Sequence, residues 1–274
     1  MVLIMVVVTV ASALSCGGSD GESEPGTKAV ASFYPLAFAA EAIGGPDVDV
    51  TNLTPAGTEP HDIELSVRDV ERVRSADIVL YLGSGFQPAV ERAVEGADGE
   101  AVDLLDEDTV DPHVWLDPLR YAELAGRIGE VLDRPGAAET FQQRLEVLHT
   151  EFEDGLADCE RREVVTSHEA FGHLAERYGL EQIAITGLSP EIEPTPGELE
   201  SVVEQVRRAG ATTVFFETLV SPRLAETVAR EAGADVATLN PLEGLTEEEI
   251  ESGADYFSVM RSNLDALREA LGCR

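Results

Sequence analysis

The sequence predicts an α/β protein of two lobes, each built on a mostly parallel sheet flanked by helices. One long helix joins the lobes, with a cleft expected between them. Three observations lead there. Short apolar runs alternate with helical periods over residues 28–105, the same alternation resumes at residue 163, and the stretch between is helical only. Apolar strands alternating with helices imply a parallel sheet covered on both faces. A chain of 274 residues is long enough for one large or two small domains with a sizeable core.

In chain order, residues 28–33 read as a strand and 36–43 as a short helix stopped by Gly44 and Gly45. Residues 48–53 form a second strand with period-two alternation. Ser66 caps a helix running to Ser75, and 77–82 is a third, nearly all-apolar strand. A helix over 87–94 and a strand over 101–105 complete the first lobe, 28–117. Pro118 opens a helix to Leu132, which Asp133, Arg134, Pro135 and Gly136 interrupt. The helix over 137–157 carries Phe141, Leu145, Leu148, Phe152 and Leu156, whose spacings of three and four mark one buried face. At 1.5 Å per residue it spans on the order of 30 Å, enough to act as a spine. These helices form the connector, 118–158.

The second lobe, 159–274, repeats the alternation. Strands are expected over 163–166, 182–186, 212–216 and 236–239, with a helix over 170–178. Thr195, Pro196, Gly197 and Glu198 make a capping box with proline at the first helical position, opening a helix to Ala209. Ser221 and Pro222 open another to Ala232, and a last helix covers 254–271.

Composition narrows the function. Hydrophobic residues make up 43% and charged residues 26%, as in a globular chain. The net charge of -34, from 53 acidic against 19 basic residues, repels nucleic acid, whose phosphates demand Lys and Arg. Residues 1–15 form an apolar run of secretory-signal length, too short to span a membrane. Cys16 follows, and then a polar, glycine-rich tether to residue 27. A cysteine so placed resembles a bacterial lipoprotein cleavage site. The expected location is therefore extracytoplasmic, held to the membrane by a lipid on Cys16 only. Cys159 and Cys273 remain, expected as a disulfide that an exported protein permits, with two free thiols as the alternative.

Three of the five histidines occupy similar places. His61 lies in GTEPHDIELS after the second strand, and His113 in DPHVWLDP after the fourth. His168 follows the first strand of lobe two, in TSHEAFGHLAERYGL. Ligands of open α/β sheets gather beyond the carboxyl ends of strands, so a cleft between lobes can converge all three. Imidazole is a borderline-soft donor suited to Zn, Cu, Fe and Ni, so a metal site is expected in the cleft between the lobes. No HExxH, CxxC or H-x-H spacing is present. His149, among polar neighbours on the long helix, is expected to face solvent. His173, five residues beyond His168, is expected on another helix face. Trp115 is expected to pack beneath its loop and Asp117 to cap the next helix.

GTEPHDIELSVRDVERVRSADIVLYLG, DPHVWLDP, VVTSHEAFGHLAERYGL and FFETLVSPRLAETVAREAG resemble the zinc- and manganese-binding lipoproteins of ABC metal importers. The likeness runs from Lys28 to the end. It implies two lobes held by a rigid helix, with little hinge closure around the ion, and delivery of that ion to an importer permease. By position it makes His61, His113 and His168 the imidazole ligands. Manganese-preferring members carry a carboxylate where His168 stands, so the expected ion is Zn2+, with Mn2+ as the alternative. TLNPLEGLT resembles the segment in which an Asp completes the family site, and Asn240 stands at that position. The fourth donor is therefore expected to be Asn240, a water or another carboxylate, with Glu217 and Glu59 as the candidate carboxylates or as groups that orient a histidine. The histidine-rich loop of many zinc members is missing, since residues 103–111 are acidic and contain none.

The expected protein is a monomeric carrier rather than an enzyme. Two alternatives are a secreted zinc hydrolase at the same histidines, with Glu217 or Glu169 as general base, and a surface adhesin on the same scaffold that does not depend on them.

Overall fold

A computed structural model describes residues 26–106 and 108–274. The expected signal segment 1–15, the lipid-bearing Cys16 and most of the tether lie outside the described residues. Lobe one contains β1 (Thr27–Ala31), α1 (Tyr34–Gly44), β2 (Val48–Asn52), α2 (Val67–Ser75), β3 (Ile78–Tyr81), α3 (Pro88–Val94) and β4 (Glu100–Asp103). The connector is α4 (Pro118–Val131) and α5 (Pro135–Leu156). Lobe two contains β5 (Glu163–Thr166), α6 (Gly172–Tyr178), β6 (Glu181–Ala184), α7 (Pro196–Ala209), β7 (Thr213–Phe216), α8 (Arg223–Ala232), β8 (Asp235–Thr238), α9 (Glu247–Glu251) and α10 (Tyr256–Leu271).

The sheets run β2-β1-β3-β4 and β6-β5-β7-β8, one order used twice. Every strand pairing among the described residues is parallel, so the sheets are wholly rather than mostly parallel. In each lobe the chain leaves the central strand to one side and returns on the other, which opens a crevice at the strands' carboxyl ends.

Local chemistry sets where helices begin. Ser66 accepts from the Asp69 N–H while Asp69 reaches back, and Thr195 and Glu198 do the same, as their sequences imply. Asp117 caps α4 by accepting from the Leu119 N–H. The helix α9 was not anticipated. Five residues give no readable period, yet Thr246 forms a capping box with Glu249, and three glutamates in its first turn favour the positive helix end.

The 22-residue α5 buries Phe141, Leu145, Leu148, Phe152 and Leu156, the face its spacing predicts. Around it lies one continuous core. It runs from Phe33 and Leu80 in lobe one, through Trp115, Tyr121 and the α5 stripe, to Phe215, Leu239 and the inner face of α10. Smaller satellites around Val30 and Val79, and around Val165 and Val214, fill the outer sides of the sheets. Cys159, just past α5, is disulfide-bonded to Cys273, just past α10, which ties the chain end to the spine. His149 departs from expectation: it is half-buried, with Nδ1 3.1 Å from the Tyr178 hydroxyl and its ring stacked on that tyrosine. No helix among the described residues is long and apolar enough to cross a membrane.

Candidate metal centre

The loops after β2, β4, β5 and β8 meet at the cleft and bring His61, His113, His168 and Glu243 together. One donor atom from each lies within 4.8 Å of all the others. Glu243 Oε1 is 3.1 Å from His61 Nε2 and 3.2 Å from the Nε2 atoms of both His113 and His168. The Nε2 atoms of His113 and His168 are 3.3 Å apart. Two donors bound at ~2.0–2.1 Å to one tetrahedral zinc stand about 3.3 Å from each other. The four side chains are therefore spaced as a three-nitrogen, one-oxygen cage around a small ion. His113, His168 and Glu243 are fully buried and His61 nearly so.

Each histidine is aimed from behind. Glu59-Pro60-His61 and Asp111-Pro112-His113 share one local device, in which the histidine N–H donates to the carboxylate two residues earlier, at 3.1 and 3.0 Å. The shorter Asp111 also accepts from its histidine's Nδ1 at 2.7 Å, which leaves Nε2 as the lone-pair nitrogen facing the cage. For His168 the partner is Glu217, beyond β7. It accepts from the His168 N–H at 3.1 Å and lies 2.7 Å from Nδ1, and Ser167 Oγ donates to it at 2.5 Å. Glu217 is thus an orienting carboxylate on the far side of a ring, outside the four-donor cage.

The charges are strongly coupled. Burial opposes ionisation of Glu243, but the three imidazoles around it outweigh burial and hold its carboxyl well below the usual range. Burial also opposes charge on His113, yet Asp111 and Glu243 hold its pKa above the ordinary value. In His168 burial is outweighed by Glu243 and Glu217, and the ring lies well above that value. Glu59 is pushed up to about 9 by burial and by the Glu243 charge beside it, and its Oε2 is buried without a partner. Glu59 lies beside the cage rather than among its four donors.

Asn240 does not face the cage, which corrects the expectation of an amide fourth donor. Its Oδ1 accepts from the Leu242 N–H at 2.8 Å and its Nδ2 donates to Glu249 at 2.9 Å. The carboxylate that takes the fourth position, Glu243, sits three residues on in the same TLNPLEGLT segment. The family likeness of the segment points to Asn240 instead, and at the turn that carries Glu243 inward Leu242 adopts a φ of 55°. Asp111 was also missed as a partner of His113, although the repeated acid-Pro-His pattern carries the signal. His173 Nε2 donates to the Asp111 carbonyl oxygen at 2.9 Å, away from the cage. Trp115 is fully buried beneath its loop, as expected.

The sequence model of a family described as "ZnuA: Zinc-uptake complex component A periplasmic" matches residues 29–270. The chain is 33% identical to the zinc-binding protein AdcA of Streptococcus pyogenes over 90% of its own length, and it spans about half of that relative, 56%. It is 30% identical to the high-affinity zinc uptake system protein ZnuA of Bacillus subtilis, over 94% of this chain and 93% of that one. The solved Zn(II)-bound ZnuA-like domain of Streptococcus pneumoniae AdcA is similar, with a TM-score of 0.77 and 33% identity over 90% of this chain and 99% of the domain. So is the laminin-binding protein Lmb of Streptococcus agalactiae, described as a bifunctional protein with adhesin and metal transporting activity. Its TM-score is 0.81, with 29% identity over 90% of this chain and all of that one.

Proposed function

Because the chain belongs to the family of periplasmic component A proteins of zinc-uptake complexes, we propose that it captures one zinc ion outside the cytoplasmic membrane and delivers it to an ABC importer permease. The ion is cargo, held by His61, His113, His168 and Glu243. Cys16 carries the lipid that keeps the carrier at the membrane.

One observation supports a carrier over a hydrolase: the fourth donor is already present. A catalytic zinc site keeps one position open for water or substrate, whereas four protein donors close the tetrahedron. Glu243 fills that position at 3.1–3.2 Å from each imidazole. Neither expected general base is free for turnover, since Glu217 is committed to His168 and Glu169 faces solvent. Three neutral imidazoles and one carboxylate suit Zn2+ better than Mn2+, which favours oxygen donors in octahedral sites.

The test is a titration of purified protein with Zn2+ and Mn2+, for the parent and for His113→Ala. The expected outcome is one tightly bound zinc per chain, weaker manganese, and loss of tight zinc binding in the variant. Zinc-dependent turnover of ester or peptide substrates, abolished by the same substitution, would replace this reading with the hydrolase.

A further inference from the structure

The four donors leave a buried polar cluster next to them without a role. Asn240 and Asn263 are 4% and 3% exposed, and neither belongs to the cage. The chain leaves β8 with the Leu239 N–H donating to the Phe216 carbonyl at 3.0 Å, the last bond of the ladder. One residue on, the Asn263 side chain of α10 takes over. Its Oδ1 accepts from the Asn240 N–H at 2.9 Å and its Nδ2 donates to the Asn240 carbonyl at 2.7 Å. A side-chain amide here replaces a neighbouring strand for a single residue.

The Asn240 side chain then turns the chain. Its Oδ1 accepts from the Leu242 N–H across Pro241, a turn closed by the side chain. Leu242 takes a φ of 55°, which residues with a Cβ rarely adopt, and its side chain is fully buried. The next residue, Glu243, is thereby swung back into the cleft. Meanwhile Asn240 Nδ2 donates to Glu249 Oε1, whose other oxygen accepts from the Thr246 N–H and hydroxyl at 2.7 and 2.9 Å. Lobe one holds the same loop from the opposite side: Trp115 Nε1 donates to the Pro241 carbonyl at 2.8 Å, and the Gly57 N–H to the Leu245 carbonyl at 2.9 Å.

Resting on the reading of Glu243 as a zinc ligand, we propose that Asn240 is a positioning residue, the centre of a latch with Asn263 and Glu249 that aims the Glu243 carboxylate at the three imidazoles. The loop is pinned at 240, 241, 242 and 245, so a residue in an unfavourable backbone conformation presents its neighbour at one fixed place. With the latch open, Leu242 relaxes to negative φ and the carboxylate turns from the cage. The protein then binds zinc through three nitrogens and a loosely held fourth donor.

Four variants test this, each with its zinc dissociation constant and its melting temperature without metal. Glu243→Ala marks the loss of the donor itself. Asn240→Ala is expected to remain folded and to bind zinc roughly 10–100-fold more weakly, the usual cost of losing a group that orients a ligand. Asn240→Asp keeps the acceptor for Leu242 but sets a carboxylate against Glu249. On charge alone it would tighten zinc, whereas an opened latch weakens it. Adding Glu249→Gln to Asn240→Asp restores the bond with donor and acceptor exchanged and the net charge unchanged, and glutamine still serves the Thr246 cap. This pair is expected to recover zinc binding to within about threefold of the parent, which a general loss of stability cannot explain. Unchanged or tighter zinc in Asn240→Asp, or no recovery in the pair, overturns the latch. Unchanged zinc in Glu243→Ala overturns the ligand reading instead.

Discussion

Among single side chains, the site's character comes from carboxylates that never join the cage. Asp111 and Glu217 each fix the tautomer of one buried imidazole, and the histidine N–H groups at 61, 113 and 168 all donate to carboxylates. Glu217→Gln keeps an oxygen near Nδ1 but removes its charge. It should weaken zinc binding by about 10–100-fold while the chain stays folded, readable by chelator competition. The same charges hold protons on the rings. His113 and His168 have raised pKa values and Glu243 a lowered one, so before zinc arrives those two imidazoles keep their protons at pH values above the ordinary ~6.5. Zinc must displace those protons, and its affinity should therefore fall as pH drops through neutrality. Calorimetry in buffers of different ionisation enthalpy should detect net proton release near pH 7. Affinity unchanged between pH 8 and pH 6 would contradict the coupling.

Among elements, α5 and α10 decide how still the site is. Phe152 on α5 is fully buried in the core shared by both lobes, and its ring stacks on Tyr178 of α6 at 5.3 Å between centroids. Phe152→Ala should destabilise the protein by ~3–5 kcal/mol, seen as a lower urea midpoint. It should leave zinc stoichiometry intact, because no donor sits on α5. The α10 helix does two jobs at once. Its inner face closes the core, and Asn263 reaches from that face to the loop that carries Glu243. A stability element thus doubles as the support of a ligand loop.

For the whole molecule, one core running through both lobes argues against a hinge. Lobes that swing apart need an interface that can open, whereas here Phe33, Trp115, Phe141, Phe215 and Tyr256 belong to a single buried cluster. Trp115 and Gly57 add lobe-to-lobe hydrogen bonds at the cleft itself. Small-angle scattering should accordingly show the radius of gyration changing by less than about 1 Å when zinc is added, the scale of a pre-organised site. A clear compaction beyond that would show that the lobes separate without the ion.

The sequence by itself determined the elements apart from α9, the long helix with its buried face, and the placing of three histidines after strands, because these depend on local period, caps and position. The Ser66 cap and the Thr195 capping box could be read directly, since their partners are three residues away. The fourth donor could not be read that way. Asn240 and Glu243 are both polar residues in one short turn, and the choice between them is made by Asn263 and Trp115, 23 and 126 residues distant in the chain. A one-dimensional pattern holds no record of such contacts, and a leucine at positive φ is stable only where packing enforces it. Tertiary structure therefore decided that Glu243 rather than Asn240 faces the three imidazoles, because only the assembled cleft sets the direction in which that turn presents its side chains.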